Sequence, residues 1–191
     1  SGDFDANLDR ALEMADAGSF ETRRNRAVGC RLRGLGVANC LGADGFGLPE
    51  RAEMRLEPDG RIALLIGSMS SGQSHATTFS QIVADAFGVD VEDVEFLAGA
   101  TADVPLGMDT YGSRSLSVGG IALHQAAGKV VEKARLIAAH QLEVAAEDLE
   151  YENGTFTVAG TDRAMTVPET ALQAWTAHNL PDGMEPGLGA T

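Results

Sequence analysis

The chain has 191 residues, 44% hydrophobic and 5% aromatic, enough for one or two small domains whose core is built mainly from Ala, Val, Leu and Ile. A net charge of -14 argues against nucleic acid as a partner, because neutralising phosphates requires clustered Lys and Arg. No apolar run approaches the roughly 18 residues of a membrane-spanning helix, so no membrane partner is expected either.

The chain opens with "SGDFDANL", which has neither an initiator Met nor a basic and apolar leader, so a cut or processed piece is expected. Leu8, Ala11, Leu12 and Ala15 follow helical spacing with Asp5 as the cap, Gly18 and Ser19 interrupt, and a short polar helix runs to about Ala27. Arg23, Arg24, Arg26, Arg31 and Arg33 read as a solvated helix end and linker in preference to a phosphate site. Cys30 and Cys40 fit no metal-ligand spacing, and two buried or half-buried free thiols in a reducing cytoplasm are expected.

"RGLGVANCL" (33–41) predicts a first strand, followed by the glycine-rich "GADGFGLPE" loop. "RAEMRLEP" (51–58), the turn "DG" and "RIALLIGS" (61–68) form the clearest hairpin, with Ile62, Leu64 and Ile66 toward the core and Arg61, Ala63 and Leu65 opposite. After an uncharged polar junction, "GSMSSGQSHATT", Phe79, Ile82, Val83 and Ala86 mark an amphipathic helix that ends at Gly88. "DVEFLAG" (93–99) predicts a strand, and a second polar junction at 108–120 leads to the longest helix. Leu123, Ala127, Val130, Ala134 and Ile137 form the stripe of that helix.

A hairpin at 147–160 turns at Asn153-Gly154, a helix runs from about Pro168 to Ala177, and the tail is rich in Pro and Gly. Hairpins and mixed strands packed by amphipathic helices predict an α+β fold in two layers, with no internal repeat.

Both polar junctions precede helices, whose N-termini expose unpaired N–H groups and partial positive charge. Small residues let an anion approach that backbone closely, so two such junctions suit a ligand with phosphates. Two other readings stand beside this one. A nucleotide- or anion-binding module without catalysis would use the same donors. A serine hydrolase would use Ser70 in "SMSSG", although Ser68 replaces the glycine of a nucleophile elbow, and His124 and His140 fall on the long helix. "GLGVAN" (34–39) lies inside the expected strand and lacks the third glycine of a dinucleotide fingerprint.

"SGQSHATTFSQIVAD" and "TYGSRSLSVGG" together resemble two cofactor-binding segments of the molybdenum hydroxylases. That family includes xanthine dehydrogenase, aldehyde oxidase and the carbon monoxide dehydrogenase large subunit, and this sequence is most similar to the last branch. "EPDGRIALLIGS", "GTDRAMTVPE" and "LPDGMEPGL" extend the resemblance over nearly the whole chain.

The resemblance implies a lead-in over 1–32, a molybdopterin dinucleotide-binding domain over 33–180 and a truncated linker over 181–191. It implies molybdopterin, as the cytosine dinucleotide, carrying molybdenum, with 2Fe–2S clusters and FAD on partner subunits or domains. It also implies oxidation of an aldehyde, an N-heterocycle such as xanthine, or carbon monoxide, by an enzyme of the cytoplasm. Gly72, Gln73, Ser74 and His75 would line the first cofactor segment. Thr110, Tyr111, Gly112, Ser113, Arg114 and Ser115 would form the second, with the forked charge of Arg114 suited to phosphate.

The first segment of the family reads Gly-Gln-Gly-His-Glu, whereas Ser74 and Ala76 replace its second glycine and its glutamate here. The catalytic glutamate of the family lies in a Gly-x-Gly-Glu segment that these residues do not contain, and neither Glu50 nor Glu185 occupies that motif. No catalytic residue and no metal ligand is therefore expected in this chain, which alone would be inactive.

Overall fold

The computed structural model describes residues 2–26, 29–45, 47–104 and 106–191, and the chain divides into two units, 1–42 and 43–191.

The first unit contains α1 (Phe4–Met14), a 3-10 turn and α2 (Phe20–Asn25). Asp3 caps α1 by accepting the Ala6 N–H at 3.0 Å, so the cap lies two residues before the expected Asp5, which sits in the first turn. Arg23, expected at a solvated helix end, instead donates to the carbonyls of Ala15 and Asp16 just after α1. The end expected for α2, at about Ala27, lies outside the described residues.

The strand expected at 33–41 does not form, and those residues have no regular structure. Gly34 and Gly36 weaken the segment, and among the described residues no strand pairs with it to satisfy its backbone. Cys30 and Cys40 share this exposed stretch, so the thiols expected to be buried are exposed.

In the second unit, β1 (Ala52–Leu56) and β2 (Ile62–Ile66) pair antiparallel with Met54 opposite Leu64. Gly60 takes φ 88° in their turn, and the Asp59 carboxylate accepts from the Arg61 backbone N–H at 3.2 Å and from its Nε at 2.8 Å. Ile62, Leu64 and Ile66 are fully buried, and Ala63 and Leu65 on the opposite face are buried as well. On that second face Leu65 lines a small cavity with Val104 and Leu106.

From β2 the chain runs through α3 (His75–Phe87) to β3 (Val94–Ala98), which pairs parallel with β2. Next come α4 (Ile121–Leu142), the hairpin β4 (Leu149–Glu152) and β5 (Thr155–Val158), then β6 (Ala164–Thr166), α5 (Val167–Thr176) and β7 (Leu188–Ala190). One sheet has the order β3-β2-β1-β7 and the other β4-β5-β6, so the fold is α+β as expected. The segment read as a linker thus supplies an edge strand, with Leu188 opposite Leu56.

The expected α4 stripe is buried, each Leu or Ile on it contributing roughly 1.5–3 kcal/mol. Thr166 and Glu169 form a capping box at α5, and the Thr166 hydrogen bonds hold the Glu169 carboxyl below its usual range. A local repetition escaped the sequence reading. "GVDVEDVEF" (88–96) and "EVAAEDLEY" (143–151) each leave a helix through a residue with positive φ, make one 3-10 turn and open a strand. The first of these exits packs on the second hairpin, where Tyr151 Oη donates to Ala86 O at 2.6 Å.

Candidate functional site

The first junction begins where β2 ends. Ser68 is buried, residues 70–74 are exposed, and His75, the first residue of α3, is 3% exposed. The His75 ring stacks on Phe79 at 4.6 Å, and its Nδ1 lies 3.2 Å from Ser68 O. That carbonyl can only accept, so Nδ1 is the donor of this bond.

Gln73 turns back on its own loop, its Oε1 accepting the Ser71 N–H. Gly72 has φ 105° with no protein atom within 4 Å of where a Cβ would stand. Ser74 takes the left-handed conformation (φ 60°, ψ 39°), the geometry that makes glycine favourable there. No side chain caps α3; the Thr77 N–H donates to Ser74 O at 3.0 Å, which leaves the His75 and Ala76 N–H groups of the first turn uncapped.

The second junction also reaches its helix through a left-handed serine. Gly112 and Ser113 have φ 55° and 52°, and Arg114 returns to the right-handed region. The helix starts earlier than expected, as a π-helical turn over Ser115–Gly120 that continues into α4. Gly119 lets this turn approach β2, since a Cβ there would meet Ser68 Oγ at 3.2 Å and Ile66 at 3.4 Å. Tyr111 is 37% exposed, its ring beneath the Arg114 guanidinium at 5.4 Å and its hydroxyl against Gly47.

The two junctions lie side by side. Thr110 Oγ1 donates to Met69 O at 2.8 Å, and Ser115 Oγ donates to Thr110 Oγ1 at 3.2 Å. The ten expected site residues therefore belong to two adjoining loops, each leading into a helix.

Arg114 does not play the part expected of it. Its side chain is 0% exposed, and Nη1 donates to Glu50 Oε2 at 2.8 Å and Asp109 O at 2.9 Å, while Nη2 donates to Leu48 O. A guanidinium enclosed and neutralised in this way is not the surface anchor for a phosphate.

Glu50 is the residue that sequence reasoning missed. Its side chain is also 0% exposed, and Oε2 accepts from Ser68 Oγ at 2.9 Å as well as from Arg114. Gly67 and Gly107 make room for it: a Cβ on Gly67 would stand 2.3 Å from Gly107 Cα and 2.7 Å from Glu50 Oε1. The one available signal was Arg114, the only cation of a junction whose one other charge is Asp109; once buried, it needs a counter-ion.

The geometry lends the hydrolase reading no support. Among the described residues no hydrogen bond joins Ser70 to a histidine, and His140 faces Asn179 Oδ1 at 3.3 Å. No described helix is long and apolar enough to cross a membrane.

Residues 10–191 match the family described as "Molybdopterin cofactor-binding domain". The chain is 36% identical to the carbon monoxide dehydrogenase large chain of Hydrogenophaga pseudoflava, over 100% of this chain and 25% of that one. It is 34% identical to the 6-hydroxypseudooxynicotine dehydrogenase complex subunit gamma of Paenarthrobacter nicotinovorans, over 100% and 24%. A solved Cu,Mo-CO dehydrogenase superposes with TM-score 0.73 at 29% identity, over 100% of this chain and 26% of that chain. Quinoline 2-oxidoreductase from Pseudomonas putida 86 gives 0.72 at 27% identity, over 99% and 26%. The chain thus spans about a quarter of the length of these relatives.

Proposed function

The chain belongs to the molybdopterin cofactor-binding domain family, and from that premise we propose that loops 67–75 and 108–115 form one wall of a pterin dinucleotide site. The larger protein is then the molybdenum-binding subunit of a hydroxylase of the carbon monoxide dehydrogenase type. It works in the cytoplasm on an aldehyde, an N-heterocycle or carbon monoxide, with iron–sulfur and flavin partners and the cytosine form of the dinucleotide.

The observation that carries this reading is the pairing of an uncapped α3 N-terminus with a second loop tied to it through Thr110 and Met69. The donors fit such a group. Gly72 leaves the approach to α3 open, and left-handed Ser74 and Ser113 each turn into right-handed backbone, a step that makes successive amides converge on an anion. Each helix end contributes roughly 0.3–1 kcal/mol toward an exposed anion.

The bound molybdenum supplies the oxidation chemistry. This chain supplies grip and orientation: Gln73 and Ser74 offer neutral donors, and Thr110, whose one hydroxyl hydrogen goes to Met69 O, holds the two loops together. With Arg114 enclosed, the phosphate is held by neutral donors instead of by a side-chain charge.

The test is to denature the full-length protein that carries this chain and quantify the released pterin and cytidine nucleotide. One of each per chain is expected, reduced at least tenfold in Gln73→Ala. A folded, matured protein that releases neither would overturn the proposal.

A further inference from the structure

We infer that Glu50, with Arg114 and Ser68, is a positioning group that sets the spacing of the two loops and so decides how tightly they hold a ligand. This inference rests on the proposed dinucleotide site.

The geometry is specific. A single oxygen, Glu50 Oε2, accepts from Ser68 Oγ at 2.9 Å at the start of the first loop and from Arg114 Nη1 at 2.8 Å in the second. The other oxygen, Oε1, accepts the Arg51 N–H at 3.3 Å, which ties the same carboxylate to the lead-in of β1. Arg114 carries the connection outward to Asp109 O, ahead of Thr110, and to Leu48 O.

Three segments far apart in sequence thus converge on one enclosed carboxylate. Its seat exists only because Gly67 and Gly107 bring their Cα atoms together, where a side chain on either would displace it. In a dry site each bond has few alternatives, because neither partner can exchange it for water. The distance from the Ser74 turn to the Ser113 turn is therefore set from beneath, by groups that never reach the ligand. Ser68 passes the constraint on, since its carbonyl fixes the His75 ring at the head of α3.

A merely structural ion pair would behave differently from a positioning group, and the experiment separates them in the full-length protein. Three variants are compared with wild type for thermal midpoint and for the rate at which the pterin dinucleotide is lost on dilution. Glu50→Gln should lower the midpoint and speed loss at least tenfold, because Arg114 is left as an uncompensated buried charge. Glu50→Gln with Arg114→Met removes that orphaned charge. It should recover most of the midpoint yet leave dinucleotide loss at least tenfold faster than wild type, because the bonds to Asp109 and Leu48 stay broken.

Ser68→Ala, which keeps the ion pair, should speed loss about threefold with little change in midpoint, and it carries the test if Glu50→Gln does not fold. If the double variant recovers retention together with midpoint, the pair only stabilises the fold and the inference is wrong. Unchanged retention in Ser68→Ala and in the double variant overturns it equally. A wild-type protein that holds no dinucleotide would instead defeat the site reading itself, a separate outcome.

Discussion

α3 and α4 leave their helices alike and begin differently. Each exit has a left-handed residue, a 3-10 turn and a strand, with Gly88 at φ 61° in one and Glu143 at φ 53° in the other. At the beginnings, both chains turn through a left-handed serine, but the loop before α3 is uncharged and exposed over 70–74. The loop before α4 instead encloses Arg114 and continues through a π-helical turn. The contrast is one of engagement: the first loop exposes its polar side chains, whereas the second encloses its only cation in an ion pair with Glu50.

The largest test of that contrast is Arg114→Met against Gln73→Ala. Losing Arg114 leaves the fully enclosed Glu50 carboxylate without its counter-ion, and about 3–5 kcal/mol of stability should go with it. Gln73 is exposed and bonds only within its own loop, so its truncation should stay within about 0.5 kcal/mol. Urea unfolding of both variants checks this. Similar losses would mean that the two loops share the structural work.

A glycine pair gives the next largest effect. Gly67→Ala would drive a Cβ into the Gly107 backbone at 2.3 Å, so the loops must separate, at a cost of about 3 kcal/mol, the upper end for overpacking. Gly72→Ala meets no atom within 4 Å and bears only the strain of φ 105°, about 1 kcal/mol. If the two variants unfold at the same denaturant concentration, the close approach beneath Glu50 is not what holds the loops.

The second exit can be probed at Tyr151, whose Oη donates to Ala86 O near the end of α3. Burial pushes the Tyr151 hydroxyl up to about 12 from 10.0, with the Arg135 charge opposing in part. Below pH 10 both folded and unfolded chains keep the proton. Between pH 10 and about 12 the unfolded chain loses it first, so this contribution to stability declines as pH rises through that window. Tyr151→Phe should cost about 0.5–1.5 kcal/mol at pH 8 by removing the bond to Ala86 O, and the difference from wild type should shrink toward pH 12. A pH-independent difference in chemical denaturation would dissociate the hydroxyl from the α3 exit.

Period-two and period-3.6 patterns, together with Asp-Gly and Asn-Gly turns, made most of the second unit legible, because burial on one face enforces those patterns. "RGLGVANCL" shows the limit: its alternation is real, but a strand requires a partner, and among the described residues no strand pairs with it. Leu188–Ala190 fails in the opposite way, since three residues beside Pro and Gly show no period, and only the open edge of β1 makes them a strand. At the site, the loops were readable because small polar residues before a helix have a direct physical meaning. Glu50 was not, because its role depends on an arginine 64 positions away and on two glycines that contribute only the absence of a side chain.

The smallest expected effect asks what a serine is doing where the family uses glycine. Left-handed backbone costs a non-glycine residue roughly 1–2 kcal/mol, and Ser74 recovers none of that as a cap, because its hydroxyl makes no capping bond. Glycine relieves the strain but adds freedom to the unfolded chain worth about 0.5–1 kcal/mol. Ser74→Gly should therefore stabilise by about 0.5 kcal/mol, measured by urea unfolding. Ser74→Ala keeps the strain and removes only the hydroxyl, so its stability should match wild type. If the hydroxyl serves the ligand, both variants should lose the pterin dinucleotide faster than wild type by a similar factor, although their stabilities differ. Unchanged loss in Ser74→Ala, which differs from wild type only in the hydroxyl, would leave that hydroxyl no part in holding the ligand.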